Sequence, residues 1–451
     1  MIDWQQQPHT VVIGLGQTGL SCVRYLLQRG IVPTVADTRE TPPNLSQLAE
    51  LWQQFGVEPG ALHCGELTVE CVLAADVIVL SPGVDRKLAL LQLAADAGIT
   101  LVGDIELYAQ ASQRPVIAIT GSNGKSTVTQ LVGELLAAAG KRAAVGGNIG
   151  TPALSLLDQQ ADVDVLELSS FQLESTYSLR PDAAVILNIS ADHLDRYLSL
   201  ADYINAKQRI FQNAKHIVIN RDDSHTRPLQ KTQASVSSFG QQADKHGFCL
   251  REEQGSSWLC LGSEKLLRSD DIALQGVHNL MNIAAALALV QALAIDVHSV
   301  LDAVRVFPGL PHRCQLLKQQ QQVAWVNDSK ATNVGAAEAA IYGLRPLVAG
   351  KLVLIAGGDG KGADFTSFAD ALKQVDELIT LGRDGPRIAE LKAGSHQVQD
   401  LTEAVALAAE LVGQQGTVLL SPACASFDMF NGFAHRGEVF SDSVEAWYGS
   451  H

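Results

Sequence analysis

Short runs of β-branched residues alternate with segments of helical periodicity along most of this chain, and this alternation limits the folds available to it. The strand-like TVVIGLG is followed by the helical TGLSCVRYLLQRG, and VPTVADT then supplies a second strand. The pattern returns in the middle of the chain (VDVLELSS, DAAVILNIS) and in its last third (KLVLIAGGDG, TVLLSPACAS). Strands joined by helices run parallel, because each helix returns the chain to the same edge of the sheet. The sequence therefore predicts an α/β fold with parallel sheets.

The length of the chain and two breaks in this alternation predict three α/β units in series. A chain of 451 residues is too long for one hydrophobic core. A turn-prone cluster precedes the strand that begins near Val116, and the segment Phe307–Arg313 contains two prolines and a glycine. We expect boundaries that divide the chain into residues 1–103, 104–309 and 310–451. Within the second unit, GFCLREEQGSSWLCLG predicts a β-hairpin around Gln254–Ser257.

Composition and charge exclude several classes of protein. The formal net charge of -15 argues against nucleic acids and anionic membrane surfaces as partners. The longest apolar run, Ile283–Ile295, is too short to cross a bilayer and predicts a buried helix. The seven cysteines are scattered without a C-x-x-C pair, which favours free thiols in a reducing compartment. No secretory signal is visible at the N-terminus, so we expect a cytoplasmic protein.

The segment IAITGSNGKST joins a predicted strand to a predicted helix through a turn that contains Gly121 and Gly124. Backbone N–H groups in such a turn, together with the helix N-terminus, can bind phosphate groups. Lys125 can neutralise phosphate oxygens, and the hydroxyl of Ser126 or Thr127 can hold Mg²⁺. The usual loop has a glycine five residues before the second one, so this is a shortened form. A strand–helix turn with a chance lysine is the alternative.

Carboxylates and a histidine follow two neighbouring predicted strands. Glu167 ends VDVLELSS, where an acidic residue helps a phosphate loop to hold its metal; a solvated strand end is the alternative. In NISADHLDRY, His193 can bind a metal as neutral imidazole or can hydrogen-bond to Asp192 or Asp195. Both segments belong to the edge of an α/β sheet where ligands bind.

The segment GLGQTG near the N-terminus has the G-x-G-x-x-G spacing of a dinucleotide-binding turn, and Asp37 ends the following strand. Only about 100 residues precede the next unit, which is close to one nucleotide-binding half with an extra strand or two. We therefore expect this unit to hold a single nucleotide-like group at its first helix N-terminus. NAD binding is the alternative.

Three dense polar clusters occupy the last third of the chain: NDSKATNVG, GGDGKGADF and SPACASFDMFNGF. Each follows a predicted strand and contains small residues that let a ligand approach the backbone. Lys330 and Lys361 are cations on these loops, and a carboxylate-bearing substrate would be their counterpart. Exposed, solvated lysines are the alternative.

Together these motifs resemble the Mur ligase family, the ATP-dependent amide-forming enzymes of peptidoglycan precursor synthesis, over essentially the whole chain. The short loop TGSNGKST is common to the wider family, whereas GLPHR, NDSKATNVG, GGDGKGADF and SPACAS are typical of its D-glutamate-adding branch. The resemblance implies a Rossmann-like N-terminal domain for the UDP-sugar, a central P-loop domain for ATP and a Rossmann-like C-terminal domain for the amino acid. It implies ATP and two Mg²⁺ as cofactors, UDP-MurNAc-L-Ala and D-glutamate as substrates, an acyl-phosphate intermediate and a monomer.

The resemblance also assigns roles to matching residues. Contacts to the UDP-sugar are implied for Gln17, Thr18, Asp37, Thr38, Arg39, Ser81 and Gly83, with Asn148 and Ser169 near its muramoyl-alanine end. Contacts to ATP are implied for Gly121, Ser122, Asn123, Gly124, Lys125, Ser126, Thr127, Asn282, Arg313, Asp328 and Lys330. Contacts to D-glutamate are implied for Thr332, Lys361, Ser426, Phe427 and Phe433. Metal ligands are implied at Ser126, Glu167, His193 and a carbamylated Lys207, and catalytic roles for Lys125, Glu167, His193 and Lys207.

Lys207 shows what the resemblance adds, because by pattern alone it is a surface lysine on an amphipathic helix. Three other functions stay open at this point. The chain could be an amide ligase that adds another amino acid or extends folate with glutamate. It could be an NAD-dependent dehydrogenase built on Gly14–Gly19, or a nucleotide-binding regulator without catalysis.

Overall fold

The computed structural model describes residues 2–193, 196–253, 256–274, 276–320 and 322–450. Its first sheet is built from β1 (Thr10–Ile13), β2 (Thr34–Asp37), β3 (Leu62–Cys64), β4 (Val77–Leu80) and β5 (Thr100–Gly103). The helices of this part are α1 (Gln17–Leu27), α2 (Leu45–Phe55), α3 (Val69–Leu73), α4 (Ala89–Asp96) and α5 (Asp104–Ala111). The strands are parallel in the order β3-β2-β1-β4-β5. This is one strand fewer than a complete dinucleotide-binding domain of about six strands.

The second sheet begins with β6 (Val116–Thr120), β7 (Ala143–Gly147), β8 (Val163–Glu167), β9 (Ala183–Ile186) and β10 (His216–Asn220). It continues with β11 (Ser235–Phe239), β12 (Phe248–Glu253), β13 (Ser256–Leu261) and β14 (Glu264–Arg268). The helices are α6 (Lys125–Ala138), α7 (Ala153–Leu156), α8 (Ser170–Glu174), α9 (Leu200–Gln208), α10 (Val277–Ala292) and α11 (Leu301–Val306). The order is β14-β13-β12-β11-β10-β9-β6-β8-β7, so β6 lies between β8 and β9.

The third sheet contains β15 (Gln315–Gln320), β16 (Gln322–Asn327), β17 (Lys351–Gly357), β18 (Glu377–Leu381), β19 (His396–Gln397) and β20 (Gln415–Leu420). Its helices are α12 (Val334–Leu344), α13 (Phe368–Leu372), α14 (Gly385–Ala389), α15 (Leu401–Val412) and α16 (Phe433–Ser450). The order is β15-β16-β20-β17-β18-β19, and only the β15–β16 pair is antiparallel among the described pairs. The predicted α/β fold with parallel sheets is confirmed.

Apolar strand residues explain why each sheet is covered on both faces. Val11, Val12 and Ile13 of β1 are fully buried, as expected for a parallel strand between two helical layers. The apolar run that begins at Ile283 forms the buried body of α10, which packs against α6. Within the described residues, no helix is long and apolar enough to span a membrane.

The predicted hairpin in the second unit corresponds to β12 and β13. These strands are antiparallel, and their register runs from the Phe248–Leu261 pair to the Glu253–Ser256 pair. Gln254 and Gly255, at the centre of the predicted turn, lie outside the described residues. All seven cysteines, which the structure describes, are free thiols.

Candidate active site

The loop between β6 and α6 lies at the carboxyl edge of the central sheet, where the ends of β8 and β9 also meet. Gly124 caps α6 with a φ of 83°, a left-handed conformation that favours glycine. A Cβ atom added to Gly124 would lie 2.4 Å from Oδ1 of Asn282 in α10. Only glycine therefore lets the loop pack this closely on α10 while its N–H groups remain directed along the helix axis.

Two cavities adjoin this loop and share Asn123, Gly124, Arg313 and Lys330 as lining residues. The first, of about 330 Å³, is also lined by Thr127, Asn282 and Asp328. The second, of about 260 Å³, is lined on its other walls by Asn148, Glu167, Ser169, Asp192, His193, Lys207 and Thr332. The loop thus separates a more apolar cavity from one that is rich in charged groups, which we call the charged cavity. A nucleotide could place its base in the first cavity and its phosphates in the second.

A larger cleft, of about 770 Å³, lies elsewhere, between the N-terminal segment and α5. Its charged groups are already engaged by the protein: Arg86 donates to the Glu174 carbonyl at 2.6 Å. Glu106 accepts from the amides of Tyr177 and Ser178 at 2.7 and 2.8 Å. We therefore assign the chemistry to the two cavities at the glycine loop.

Lys125 is the first residue of α6, and its ammonium group folds back over the loop. The Nζ atom donates to the carbonyl oxygens of Gly121 and Ser122 at 2.8 and 2.9 Å. Burial lowers the pKa of Lys125, and the negative charges of Glu167 and Asp192 oppose this only in part. The ammonium group therefore lies at the loop, where phosphate oxygens would replace the two carbonyl oxygens as its hydrogen-bond acceptors.

The Glu167 side chain at the end of β8 fits a divalent cation. It is 2% exposed, so the alternative of a solvated strand end is wrong. Its Oε1 atom accepts from Nδ2 of Asn148 at 2.7 Å, whereas Oε2 has no hydrogen-bond partner among the described residues. A buried carboxylate oxygen without a partner is costly, and a cation would remove that cost.

The remaining oxygen donors near Glu167 are few. Among the described residues, no group of three or more His, Cys, Asp and Glu side chains could hold a metal by itself. Ser126 is buried beside the loop and supplies a hydroxyl oxygen. A hard cation such as Mg²⁺ takes one or two protein ligands and completes its shell with phosphate oxygens and water, so this sparse set fits Mg²⁺ held together with a nucleotide.

Lys207 is 1% exposed, so its sequence pattern, which predicted a surface lysine, was misleading. Its Nζ atom donates to the Gly121 carbonyl at 2.9 Å and to Oγ1 of Thr120 at 3.3 Å, and it lies 4.7 Å from the Tyr203 ring centre. Burial and the nearby Lys125 ammonium hold the pKa of Lys207 well below its usual value. A short amphipathic pattern could not reveal this, because Lys207 shares the buried face of α9 with Tyr203 and Ala206, where it reaches the loop after β6.

His193 and Asp192 form the wall of the charged cavity opposite the loop. Nε2 of His193 lies 3.7 Å from Oδ2 of Asp192, and the imidazole packs edge-on against Phe171 with ring centres 4.9 Å apart. His193 has a φ of 56°, a conformation that non-glycine residues rarely adopt. Both the predicted metal role and the predicted contact with Asp192 are compatible with this position. Asp195 lies outside the described residues.

The third sheet contributes cations to the same cavities. Arg313 donates from Nη2 to Oγ of Ser126 at 2.6 Å. The hydroxyl that was predicted to bind a metal is therefore hydrogen-bonded to a guanidinium group in this structure. Lys330 lies over the Phe433 ring at 4.2 Å, and burial lowers its pKa to about 8. Asp328 accepts from Oγ of Ser421 at 2.8 Å, and burial raises its pKa to about 7.

Two loop residues of the last third of the chain donate to Asp192 in the wall of the charged cavity, and one of them, Asn333, also lines that cavity. Lys361 donates to Oδ1 of Asp192 at 2.9 Å, and Nδ2 of Asn333 donates to Oδ2 at 3.1 Å. Asn333 also donates to Oδ1 of Asn123 in the phosphate loop at 3.2 Å. Burial would raise the pKa of Asp192, but the Lys361 ammonium and His193 outweigh it and lower the pKa. Neither Lys330 nor Lys361 is the exposed, solvated lysine of the alternative interpretation.

Only some of the residues predicted to contact D-glutamate lie at the charged cavity. Thr332 lines the charged cavity, and Lys361 reaches it through Asp192. Ser426 is buried, Phe433 lies under Lys330, and Phe427 is 77% exposed. None of these three is among the residues that line either cavity at the loop.

The residues predicted to contact the UDP-sugar separate into two places. Asn148 and Ser169 line the charged cavity beside Glu167. The others lie at the carboxyl edge of the first sheet: Gln17 and Thr18 begin α1, Asp37 ends β2 and is followed by Thr38 and Arg39, and Ser81 and Gly83 follow β4. There Oγ of Ser81 donates to the Gly14 carbonyl at 2.7 Å.

Asp37 is fully engaged by the protein. It accepts from the Leu15 amide at 2.6 Å and from Nε and Nη2 of Arg39 at 2.8 and 2.7 Å. Burial would raise the pKa of Asp37, but these hydrogen bonds outweigh it and lower the pKa to about 2. Its carboxylate therefore stabilises the glycine turn and holds Arg39 at the edge of the sheet.

Asn333 is a site residue that the sequence did not single out, although it lies in the quoted NDSKATN cluster. Its Oδ1 atom caps α12 by accepting from the Ala336 amide at 2.9 Å, while its Nδ2 atom joins Asp192 and Asn123. An N-cap asparagine is expected from sequence. Its second role depends on how the second and third sheets pack, which no local pattern reveals.

Family models match three successive parts of the chain. Residues 8–103 match the Mur ligase MurD-like N-terminal domain, residues 119–290 the Mur ligase middle domain, and residues 312–424 the Mur ligase glutamate ligase domain. Several curated relatives are named UDP-N-acetylmuramoylalanine--D-glutamate ligase. Those of Idiomarina loihiensis and Yersinia pseudotuberculosis are each 48% identical and cover 99% of this chain and 98% and 99% of their own lengths. That of Pseudomonas syringae pv. tomato is 49% identical, covering 96% of this chain and 97% of its own.

Solved structures with the same fold are more distant in sequence. The MurF ligase of Thermotoga maritima in complex with ADP is 17% identical, with a TM-score of 0.63, and covers 99% of this chain and 98% of its own. The UDP-N-acetylmuramate-alanine ligase MurC of the same organism is 18% identical, with a TM-score of 0.60, and covers 98% of this chain and all of its own. These similarities concern the fold.

Proposed function

Since the chain belongs to the Mur ligase family, we propose that it joins D-glutamate to UDP-N-acetylmuramoyl-L-alanine with ATP as the energy source. This is the reaction named for the curated relatives that match nearly its full length. The structural observation that carries the proposal is the charged cavity. There a phosphate loop, a carboxylate with a partnerless oxygen, and cations from the third sheet converge.

The reaction requires activation because a carboxylate is a poor electrophile. The alanyl carboxylate attacks the γ-phosphorus of ATP, so that ADP leaves and an acyl phosphate forms. The amine of D-glutamate then attacks the acyl carbon, its proton is lost, and inorganic phosphate departs from the tetrahedral intermediate. Most of the rate gain in phosphoryl transfer comes from positioning and from neutralising charge on the phosphate oxygens.

Lys125 would neutralise charge on the transferred phosphate, because its ammonium already donates to the loop that would hold the phosphates. Thr127 and Asn282, which line the cavity of about 330 Å³, would bind ATP together with Asp328 and Lys330. The backbone N–H groups from Gly121 to Gly124 would complete the cradle. Arg313 would exchange its hydrogen bond to Ser126 for one to a phosphate oxygen.

Mg²⁺ would occupy two positions in this site. Ser126 and Glu167 would hold one ion, since Oε2 of Glu167 has no partner among the described residues. His193 and a carbamylated Lys207 would hold the other, because carbamylation requires a neutral amine and burial keeps the pKa of Lys207 low. Bound Mg²⁺ would offset the negative charge that gathers during phosphoryl transfer.

The substrates would be divided among three domains, over residues 1–103, 104–309 and 310–451. Each of these ranges contains one of the three sheets. The first would bind the UDP-sugar at the N-terminus of α1, the second ATP, and the third D-glutamate near Thr332 and Lys361. Ser426, Phe427 and Phe433 would reach D-glutamate only after the third domain moves, because they do not line the cavity as it stands.

We further propose that the protein acts as a monomer in the cytoplasm. The proposed substrates, ATP and a UDP-sugar, are supplied in that compartment. Sedimentation of the protein at micromolar concentration, with and without its substrates, tests the oligomeric state.

Release of inorganic phosphate tests the proposed reaction most directly. We expect release from ATP only when both UDP-MurNAc-L-Ala and D-glutamate are present, and a product with the combined mass of the two. Release with another amino acid or with a folate would indicate a different amide ligase. ATP binding without substrate-dependent release would indicate a regulator, and micromolar binding of NAD would support a dehydrogenase.

A further inference from the structure

Helix α8 connects the charged cavity to the first domain. Its N-cap, Ser169, lines the cavity, and a reciprocal capping box fixes that residue. The Gln172 amide donates to Oγ of Ser169 at 3.2 Å, and Oε1 of Gln172 accepts from the Ser169 amide and hydroxyl at 3.1 and 3.2 Å. The Gln172 side chain therefore determines where the Ser169 hydroxyl lies.

A buried carboxyl group holds the other end of the same amide. Nε2 of Gln172 donates to Oδ2 of Asp104 at 3.0 Å. Asp104 is the first residue of α5, directly after the last strand of the first sheet, and is 1% exposed. Its Oδ1 atom has no hydrogen-bond partner among the described residues. The only described side chain that Asp104 accepts from is thus the one that fixes Ser169.

This arrangement fixes the orientation of the Gln172 amide. The amide oxygen must face Ser169, which donates to it, so the NH₂ group must face an acceptor. Asp104 supplies that acceptor, whereas an apolar residue would leave a buried NH₂ group unsatisfied. Burial raises the pKa of Asp104 to about 6, yet an unprotonated carboxyl oxygen accepts a hydrogen bond in either form.

Other contacts join α8 to the first domain at the same place. The Gly103 amide donates to the Ser175 carbonyl at 3.1 Å. Arg196 donates to the carbonyls of Pro82 and Val84 at 2.8 and 3.0 Å and lies over the Phe171 ring at 3.9 Å. These contacts hold α8 against the first sheet. Arg196 reaches the aromatic ring of Phe171, which also lines the charged cavity, whereas the Asp104–Gln172 contact is the one among them that continues to a hydroxyl group there.

We propose that Asp104 is a positioning residue for the ligation. Through the Gln172 amide it holds the Ser169 hydroxyl in the charged cavity. Because Asp104 directly follows β5, the last strand of the first sheet, it couples the end of the domain that would bind the UDP-sugar to the place where the alanyl carboxylate of that sugar would react. This inference rests on the proposed function. Asp104 does not touch the reacting groups.

Steady-state kinetics of the full-length enzyme test the inference. We expect Asp104→Ala to raise the KM for UDP-MurNAc-L-Ala roughly tenfold while the KM for ATP stays within about twofold. Asp104→Asn keeps an oxygen that can accept from Gln172, so it should retain most of the wild-type value. Glu106→Gln is the control, because Glu106 is also a buried carboxylate on the same helix but accepts from the Tyr177 and Ser178 amides instead.

A double-mutant cycle separates positioning from a general loss of structure. If Asp104 acts through Ser169, then Asp104→Ala should change the KM for the UDP-sugar by less than about twofold in a Ser169→Ala background. Equal and additive effects in the two backgrounds would overturn the inference, as would a loss in Asp104→Asn equal to that in Asp104→Ala. If Asp104→Ala does not fold, Gln172→Glu, which replaces the NH₂ donor by an acceptor, takes its place in the cycle. If the wild-type protein shows no phosphate release with both substrates, the proposed function fails instead.

Discussion

Two glycine-rich turns in this molecule have the same local design and very different surroundings. The first joins β1 to α1 around Gly14–Gly19, and the second joins β6 to α6 around Gly121–Gly124. Both need glycine for close packing: a Cβ atom on Gly19 would lie 1.8 Å from the Gly14 carbonyl oxygen, and one on Gly124 would lie 2.4 Å from Asn282. Each directs the N-terminus of a helix toward the carboxyl edge of its sheet.

The difference lies in the side chains around each turn. At the first turn, Ser81 donates to the Gly14 carbonyl, and Asp37 accepts from the Leu15 amide and from Arg39, so the polar groups satisfy one another. At the second turn, the half-buried Lys125 and the buried Lys207 both donate to the Gly121 carbonyl. Arg313 adds a third cation, and Oε2 of Glu167 has no partner among the described residues.

This comparison teaches that the backbone turn identifies a place for an anionic group, whereas the surrounding side chains decide what happens to it. A neutralised turn can hold a nucleotide-like group without reacting with it. A turn surrounded by three cations, beside a carboxylate with an oxygen that has no partner among the described residues, favours a polyphosphate with metal and stabilises charge that moves during a reaction. The G-x-G-x-x-G spacing of the first turn therefore does not by itself support NAD.

The largest expected effect comes from removing the first cation of the second turn. Lys125→Ala should lower substrate-dependent phosphate release by roughly 10³-fold or more, because an uncompensated phosphoryl transfer loses most of its electrostatic stabilisation. Lys215→Ala, at an exposed lysine before β10, is the control and should leave the rate unchanged. If Lys125→Ala retains the wild-type rate, the second turn is not a phosphate loop and the contrast with the first disappears.

The second cation is expected to contribute through its modification. Lys207→Ala should lower the rate by about 10²-fold, the scale expected for a group that supports a metal ligand set. Incubating the wild-type protein with ¹³C-labelled bicarbonate should give a carbamate signal in the NMR spectrum that is missing from the variant. Identical spectra of the two proteins would rule out the carbamate and leave Lys207 as an amine.

These expectations depend on features that the sequence revealed unequally. The strand–turn–helix around Gly121–Lys125 and the acid at Glu167 follow from local spacing, since a parallel sheet brings the carboxyl ends of its strands to one edge. The burial of Lys207 does not follow from local spacing. A lysine in a nine-residue amphipathic helix is expected at the surface, and only the packing of α9 against the loop places this one inside. The Arg313–Ser126 contact links residues 187 positions apart, so only the packed domains could reveal it.

A smaller effect is expected at the ion pair that joins the third domain to the central one. Lys361→Ala should raise the KM for D-glutamate about 10- to 100-fold with less than a threefold change in the KM for ATP, because a charged hydrogen bond to a carboxylate contributes about 1.5 to 3 kcal/mol. Lys373→Ala, at an exposed lysine of the same domain, is the control. An unchanged KM for D-glutamate would leave Lys361 with only its contact to Asp192.

The smallest effect is expected at the first turn, and it concerns stability rather than rate. The pKa of Asp37 is lowered to about 2 in the folded protein, against a usual value near 3.8. Its stabilising contribution is therefore complete above the unfolded-state pKa and is lost as the pH falls from about 4 toward 2. Because the Arg39 side chain is 52% exposed, we discount the contribution to about 1 to 2 kcal/mol.

Asp37→Asn should accordingly lower the free energy of unfolding by that amount at pH 7 and by progressively less below pH 4, as the wild-type carboxylate becomes protonated. Urea unfolding followed by tryptophan fluorescence measures the difference. Trp52 belongs to the hydrophobic cluster that contains Val12 and Val35 of the first sheet, and Trp4 packs against that cluster. A difference that stays constant between pH 7 and pH 3 would mean that the Asp37 charge does not stabilise the first turn. The first turn would then owe its shape to glycine packing alone.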